Sequence, residues 1–332
     1  MLRKFALCGF LCFVLASIAS AQAVRQFTFH YGFTVKDVPA GERVRVWFPA
    51  AHSDEYQDVR VVSASSDLPL KKNRESRFGN EIYYAESSKS KSGDLHFEVA
   101  YDVIRREHLT VGLNHPRLAN ASLSRKENEQ YLAADKLVPI TGRPAQIAAQ
   151  VVAGETTQMN KVRAIYDYVF ANMRYDKTGT GWGHGDVLYA CDAKKGNCTD
   201  FHSLFIAMAR SQGIPARFEI GFPLPSDKSS AEIAGYHCWA DFFNPQNGWI
   251  PVDISEAWKH PARKDYFFGA HDDNRVQFSI GRDLKLNPPQ QGEPLNYFVY
   301  PYVEIGGKEH QNIALEFSFA DSQKTSAQTA GQ

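Results

Sequence analysis

The chain has 332 residues, with 37 Lys and Arg against 37 Asp and Glu, 43% apolar residues and five cysteines. Balanced charge removes any global electrostatic case for nucleic acid or a charged membrane surface as partner. So few cysteines exclude a disulfide scaffold, and stability has to come from an apolar core.

The opening residues, MLRKFALCGFLCFVLASIASAQA, join a basic start at Arg3 and Lys4 to an apolar stretch and then to small residues at Ala19-Ser20-Ala21. This is the pattern of a secretory signal peptide over residues 1–23, cut after Ala21 or Ala23. The apolar run is shorter than the roughly 20 residues that span a bilayer. Neither Cys8 nor Cys12 follows the small residues of a lipoprotein site, so no membrane anchor is predicted and the expected location is periplasmic or extracellular. About 310 residues would remain, enough for two domains of about 100–200 residues. They keep Cys191, Cys198 and Cys238, and an odd count predicts at least one free thiol.

From Val24 to about Leu109 the segments FTFHYGFTV, ERVRVWFP, DVRVVSA, NEIYYAE and DLHFEVAYDVI read as strands between Gly, Pro, Ser and Asp clusters. Val44, Val46 and Phe48 alternate with Arg43, Arg45 and Trp47, the period of a half-buried strand. Short strands at this spacing predict an antiparallel β-sandwich over 24–115. Residues 110–143 show no clean period and read as a connector. Pro144 then opens a helix at a favoured first-turn position. Val162, Ile165, Tyr166, Val169, Phe170 and Met173 stand at helical spacing in the next segment.

Phe201 to Gln212 predicts a further helix, apolar on most faces and stopped by Gly213 with Pro215 beyond. Such a helix belongs at the centre of its domain. ARFEIGF, YHCWADFF and GWIPVDI follow as strands, the last two joined by a turn at NPQNG. Helices first and sheet after is an α+β order, not a βαβ alternation. The expected division is a sandwich over 24–115, a core over 116–320 that keeps the last strands, and a disordered polar tail over 321–332.

Cys198, in GNCTDF, precedes the apolar helix, where unpaired N–H groups and the helix dipole favour a thiolate. The same N–H groups can donate to a developing oxyanion. His237, in YHCWADFF, can take the thiol proton and later give it to a leaving amine. Asp253, in GWIPVDI, can receive the other ring N–H, because a hairpin closed at NPQNG brings the two onto one face.

These three ordered motifs, with GIPAR after the nucleophile helix, resemble the transglutaminase-like superfamily from about Val162 to Ser255. The resemblance implies a papain-like Cys-His-Asp core with Cys198 as nucleophile, His237 as general base and acid, and Asp253 as orienter. The VRVWFP strand resembles the leading domain of exported bacterial members, and FSIGRDLKL and NYFVYPYVE resemble their ends. The implied activity is thiol-mediated acyl transfer on a protein or peptide substrate through a thioester, with hydrolysis expected, and no cofactor. The alternatives are cross-linking to a lysine amine, or a non-catalytic peptide- or glycan-binding module carrying a vestigial triad.

Other readings compete for the remaining polar residues. A second oxyanion donor would come from Trp182 or Tyr175, and His184 shares the Gly-rich loop with Trp182. Asp200 reads as a structural carboxylate in the first turn of the helix. Cys238 reads as core on an alternating strand, with a bridge to Cys191 as one alternative and a Cys191–Cys198 bridge as another. Zinc on Cys191, Cys198, His202, His237 and Cys238 lacks the paired short spacings such sites use. His271-Asp272-Asp273-Asn274 falls short of a calcium loop. A glycan on Asn197, in the sequon Asn197-Cys198-Thr199, would cover the thiol, which favours a bacterial exported protein.

Overall fold

The computed structural model describes residues 22–110 and 121–322, so the expected signal peptide and tail lie almost wholly outside the described residues. Six strands come first: β1 (Val24–Val38), β2 (Val44–Pro49), β3 (Gln57–Ser66), β4 (Lys71–Arg74), β5 (Glu81–Ser87) and β6 (Gly93–Arg106), then the short β7 (His108–Leu109). The helical half holds α1 (Arg125–Leu132), α2 (Arg143–Val151), α3 (Gln158–Asn172), β8 (Arg174–Tyr175), α4 (Val187–Ala193), β9 (Lys195–Gly196) and α5 (Cys198–Ser211). Next come β10 (Ala216–Pro223), β11 (Ser230–Glu232), β12 (His237–Asn244), β13 (Gly248–Val252), α6 (Ile254–Lys259), β14 (Ala270–His271) and β15 (Arg275–Ile280). The chain closes with β16 (Tyr302–Ile305), β17 (Lys308–Glu309) and β18 (Ile313–Asp321).

Two five-stranded antiparallel sheets, ordered β11-β18-β1-β6-β3 and β17-β16-β2-β5-β4, make the sandwich. The architecture is α+β, a leading β-sandwich with a papain-like core of helices on a four-stranded sheet ordered β13-β12-β10-β15. Strand β1 explains the cohesion of the two halves. Its alternate residues Phe27, Phe29, Tyr31, Phe33 and Val35 are buried, and they meet both partners at once. Tyr31 and Phe33 pack on Phe48 of β2 at ring distances of 5.7 and 5.1 Å. Phe29 reaches Phe222 of β10 at 5.1 Å, and Tyr31 reaches Phe278 of β15 at 5.4 Å. Each such ring contributes about 1.5–3 kcal/mol by burial.

The last strands leave the core. β18 pairs with β1, Tyr31 opposite Phe317, and β16 pairs with β2, Val46 opposite Val303. Each gives a sandwich sheet a partner for a strand that would otherwise end in unpaired N–H and C=O groups. Strand β2 is also buried on both faces, where alternation predicted one. Residues 284–302 cover its outer face, so Trp47 packs with Leu284, Leu286 and Phe298, and Arg45 pairs with Glu304 at 3.0 Å.

Helix α5 is buried from Cys198 through Arg210, as its all-round apolar sequence requires. It starts at Cys198, three residues before the predicted start. Three short helices escape a periodicity reading and are set by their caps. Ser124 and Glu127 form a capping box on α1, Asp186 caps α4, and Asp253 caps α6.

Candidate active site

Asn197 is the N-cap of α5. Its Oδ1 accepts the Thr199 N–H at 2.9 Å, and Asp200 reaches back to the Asn197 N–H at 2.9 Å. Cys198 therefore occupies the first helical position, 2% exposed. Among the described residues its own N–H has no acceptor.

His237 opens β12, and the β12–β13 register, Ala240 opposite Val252, carries Asp253 back to the level of Trp239, two residues from His237 and on the same face. His237 Nε2 stands 2.7 Å from Asp253 Oδ2, which leaves Nδ1 for the hydrogen bond with Cys198. The carboxylate of Asp253 is fully buried and fully used. It also accepts from Arg275 at 3.1 Å, Ser255 Oγ at 3.2 Å and the Glu256 N–H at 3.0 Å. The three residues brought together are those the sequence motifs single out.

Electrostatics favour the charged pair. Burial opposes a thiolate at Cys198, but hydrogen bonds from Cys238 and His237 outweigh it and hold the thiol well below its ordinary range. Burial likewise opposes the imidazolium at His237, and the Asp253 and Cys198 charges overcome it, pushing the ring up to about 10. Asp253 is held well below the usual carboxylate range by His237 and Arg275, against its own burial. An acidic thiol beside a basic imidazole is the arrangement of a thiol nucleophile with its acid and base.

The oxyanion candidates separate. The Trp182 indole N–H is already given to Gly179 O at 3.1 Å, inside its own loop. Tyr175 stays near the thiol, and its phenol is pushed up to about 12 by burial and the Cys198 charge. Lys259 Nζ lies 4.3 Å over its ring. His184 is exposed, and only its backbone carbonyl is engaged, by Arg282 and Asn296.

Asp200 is a clamp. Fully buried, it accepts the N–H groups of Gly183 at 2.7 Å, Gly185 at 3.0 Å and Asn197 at 2.9 Å, tying the Gly-rich loop to the mouth of α5. Arg282 grips the same loop through the carbonyls of His184 and Gly185 at 2.7 and 3.0 Å, and reaches Ser203 Oγ at 2.6 Å.

Cys191, Cys198 and Cys238 are all free thiols, so neither bridge to Cys191 is formed. Cys238 is buried, as alternation predicts, with its thiol turned toward Thr199 Oγ1 at 3.6 Å and toward Cys198. No three metal-ligating side chains converge among the described residues. His202 serves the fold: its Nε2 accepts the Ile254 N–H at 3.0 Å, and burial lowers the ring to about 4, so it stays neutral. Asp272 pairs with Arg263 and Arg275 at 3.5 and 3.4 Å.

Sequence reasoning misses Arg275, Arg282 and Tyr236 here. Tyr236 neighbours His237, and its hydroxyl lies 3.1 Å from Asn197 Nδ2 and 2.8 Å from Thr199 Oγ1. His202 is one helical turn from Cys198, a spacing that could have placed it on the site face. No local pattern marks the two arginines.

Residues 145–254 match the transglutaminase-like superfamily. An uncharacterized protein of Haemophilus influenzae is 27% identical over 318 residues, covering 85% of this chain and 86% of that protein. The uncharacterized protein YebA of Bacillus subtilis is 24% identical over 157 residues, 42% of this chain and 21% of that protein. Among solved structures, a cysteine protease candidate of Cytophaga hutchinsonii superposes with a TM-score of 0.57 at 15% identity, covering 91% of this chain and 99% of that one. At that identity the likeness speaks for the fold. The segment that matches the transglutaminase-like superfamily, residues 145–254, is the one that holds Cys198, His237 and Asp253.

Proposed function

We propose that Cys198, His237 and Asp253 act as a triad that hydrolyses peptide-like amides through a thioester. The Cys198 thiolate attacks the carbonyl carbon, forming the S–C bond while the carbonyl pair moves onto oxygen near the free Cys198 N–H. Collapse breaks the C–N bond, and His237 gives its proton to the departing amine. A water then loses a proton to His237 and attacks the thioester, releasing the acid and restoring the thiolate. Asp253 holds the ring in the orientation both transfers need. The proposed setting is periplasmic or extracellular, on the strength of the leader pattern, and no described helix is long and apolar enough to cross a membrane.

The observation that carries this reading is the contact of Cys198 with a His237 that Asp253 holds at 2.7 Å, at the mouth of a buried helix. Alkylation by iodoacetamide across pH tests it. Cys198 should react well below about pH 8.5, the ordinary thiol value, and lose that reactivity in His237→Ala. The profile of an ordinary thiol in the wild type would leave only a binding module. Hydrolysis is favoured over cross-linking because water needs no second binding site, whereas an amine acceptor does and has to exclude water. Peptide substrates offered with a labelled amine decide between them: amine incorporation exceeding hydrolysis would make the protein a cross-linking enzyme.

A further inference from the structure

We infer that the Tyr236 hydroxyl is the second oxyanion donor, completing with the Cys198 N–H the pocket for the tetrahedral intermediate; this rests on the triad reading above. An oxyanion pocket needs donors fixed before the charge arrives. Trp182 has spent its N–H on Gly179 O, and the Tyr297 hydroxyl faces Gly183 O at 3.5 Å. Tyr300 Oη accepts the Tyr236 N–H at 3.3 Å. Tyr175 has no hydrogen bond that fixes its hydroxyl among the described residues.

Tyr236 differs in how its oxygen is held. Asn197 Nδ2 donates to it at 3.1 Å and Thr199 Oγ1 stands at 2.8 Å, so the residues on either side of Cys198 both grip it. Either hydroxyl can donate across the Thr199–Tyr236 contact, and the assignment takes Thr199 as the donor. With Thr199 donating, the Tyr236 oxygen accepts twice, and its own proton, shared with the Tyr297 hydroxyl in the resting site, is the one that turns to an oxyanion; accepting two hydrogen bonds makes an O–H a stronger donor. The ring is braced by Tyr297 and Tyr300 at centroid distances of 5.4 and 5.9 Å. Burial and the Cys198 charge keep the phenol protonated, so the donor persists across the working range.

The test compares two reactions of the same sulfur in Tyr236→Phe. Iodoacetamide alkylates Cys198 by displacement at a saturated carbon and builds no oxyanion. Acylation by p-nitrophenyl acetate passes through one and releases nitrophenolate. Acylation should fall on the order of 10²-fold, with alkylation within about twofold of wild type, and Thr199→Val should lower acylation in the same selective sense. Wild-type acylation in Tyr236→Phe, or an equal fall in both reactions, would overturn the assignment, the second outcome marking a merely structural tyrosine. A wild-type protein alkylated as an ordinary thiol and not acylated would remove the triad itself, and Tyr236 with it.

Discussion

A charge pair that shares one proton leaves a signature in the pH dependence of stability, and Cys198→Ala exposes it. Unfolded, His237 is neutral above about pH 6.5 and Cys198 keeps its proton below about pH 8.5. Folded, the proton sits on His237, raised to about 10, and the sulfur is a thiolate. The raised histidine contributes stability present below about pH 6.5 and lost as pH rises through about 10. The depressed thiol contributes stability present above about pH 8.5 and lost as pH falls. Between about pH 6.5 and 8.5 both states of the pair hold one proton, so its contribution is flat. Removing the sulfur takes away the Cys198 share of the upward shift and leaves the larger Asp253 share, which keeps a folded imidazolium against a neutral unfolded ring over part of the window. Cys198→Ala should then lose up to about 1.36 kcal/mol per pH unit relative to wild type, at most about 2.7 kcal/mol over the window. Urea denaturation of both proteins under reducing conditions, from pH 6 to 9, measures the difference with all other groups cancelled. Parallel curves would mean that Asp253 alone does not hold His237 charged, and the hold assigned to that carboxylate would be refuted.

The clamp at Asp200 should respond to loss of one acceptor. Asp200→Asn keeps an oxygen for two of the three N–H groups and turns an amide toward the third, costing about 1.5–3 kcal/mol; faster amide exchange at Gly183 and Gly185 should accompany it. Gly185→Ala places a Cβ at φ +61° against Ser203, Arg282 and Thr199, so backbone strain and overpacking together should cost about 2–5 kcal/mol by thermal denaturation. Gly154→Ala, at φ +88° with open space around it, is the control and should lose only about 1–2 kcal/mol; equal losses would refute the packing argument. His202 is lowered to about 4, so stability is lost as pH falls from about 6.5, where the unfolded ring begins to bind its proton. His202→Gln keeps an acceptor for Ile254 and removes the titration, so its acid limb should be shallower by up to about 1.36 kcal/mol per pH unit; an unchanged limb would place the charge elsewhere.

The grouping of Cys198, His237 and Asp253 was legible in the sequence because each is tied to a local pattern. A cysteine at a helix mouth, a histidine opening a strand and an aspartate ending the next one are each marked by their own segment, and the NPQNG turn fixes the register between the last two. The sandwich was legible in kind but not in membership. Strand β18 meets β1 across some 290 residues, and β16 reaches β2 across some 260, pairings that no alternation within either segment encodes. The half-buried reading of β2 failed for the same reason, since its cover arrives from residues 284–302. Arg275 and Arg282 were invisible because a buried arginine is recognised by its partners, here Asp253 and the 184–185 carbonyls, and not by its neighbours in sequence.

The same long-range crossing bears on what the β domain does for the site. After β15 the chain passes through Arg282, Asn296, Tyr297 and Tyr300 before it joins the sandwich at β16. Arg282 and Asn296 hold the Gly-rich loop that Asp200 fastens to α5, while Tyr297 and Tyr300 brace Tyr236, whose hydroxyl contacts Asn197 and Thr199. This segment therefore runs from the core sheet to the strand that pairs with β2. β1 adds a second tie by packing its ring row onto β10 and β15, the strands that carry Phe222 and Phe278. The sandwich is thus part of the frame that carries Tyr297 and Tyr300 against Tyr236.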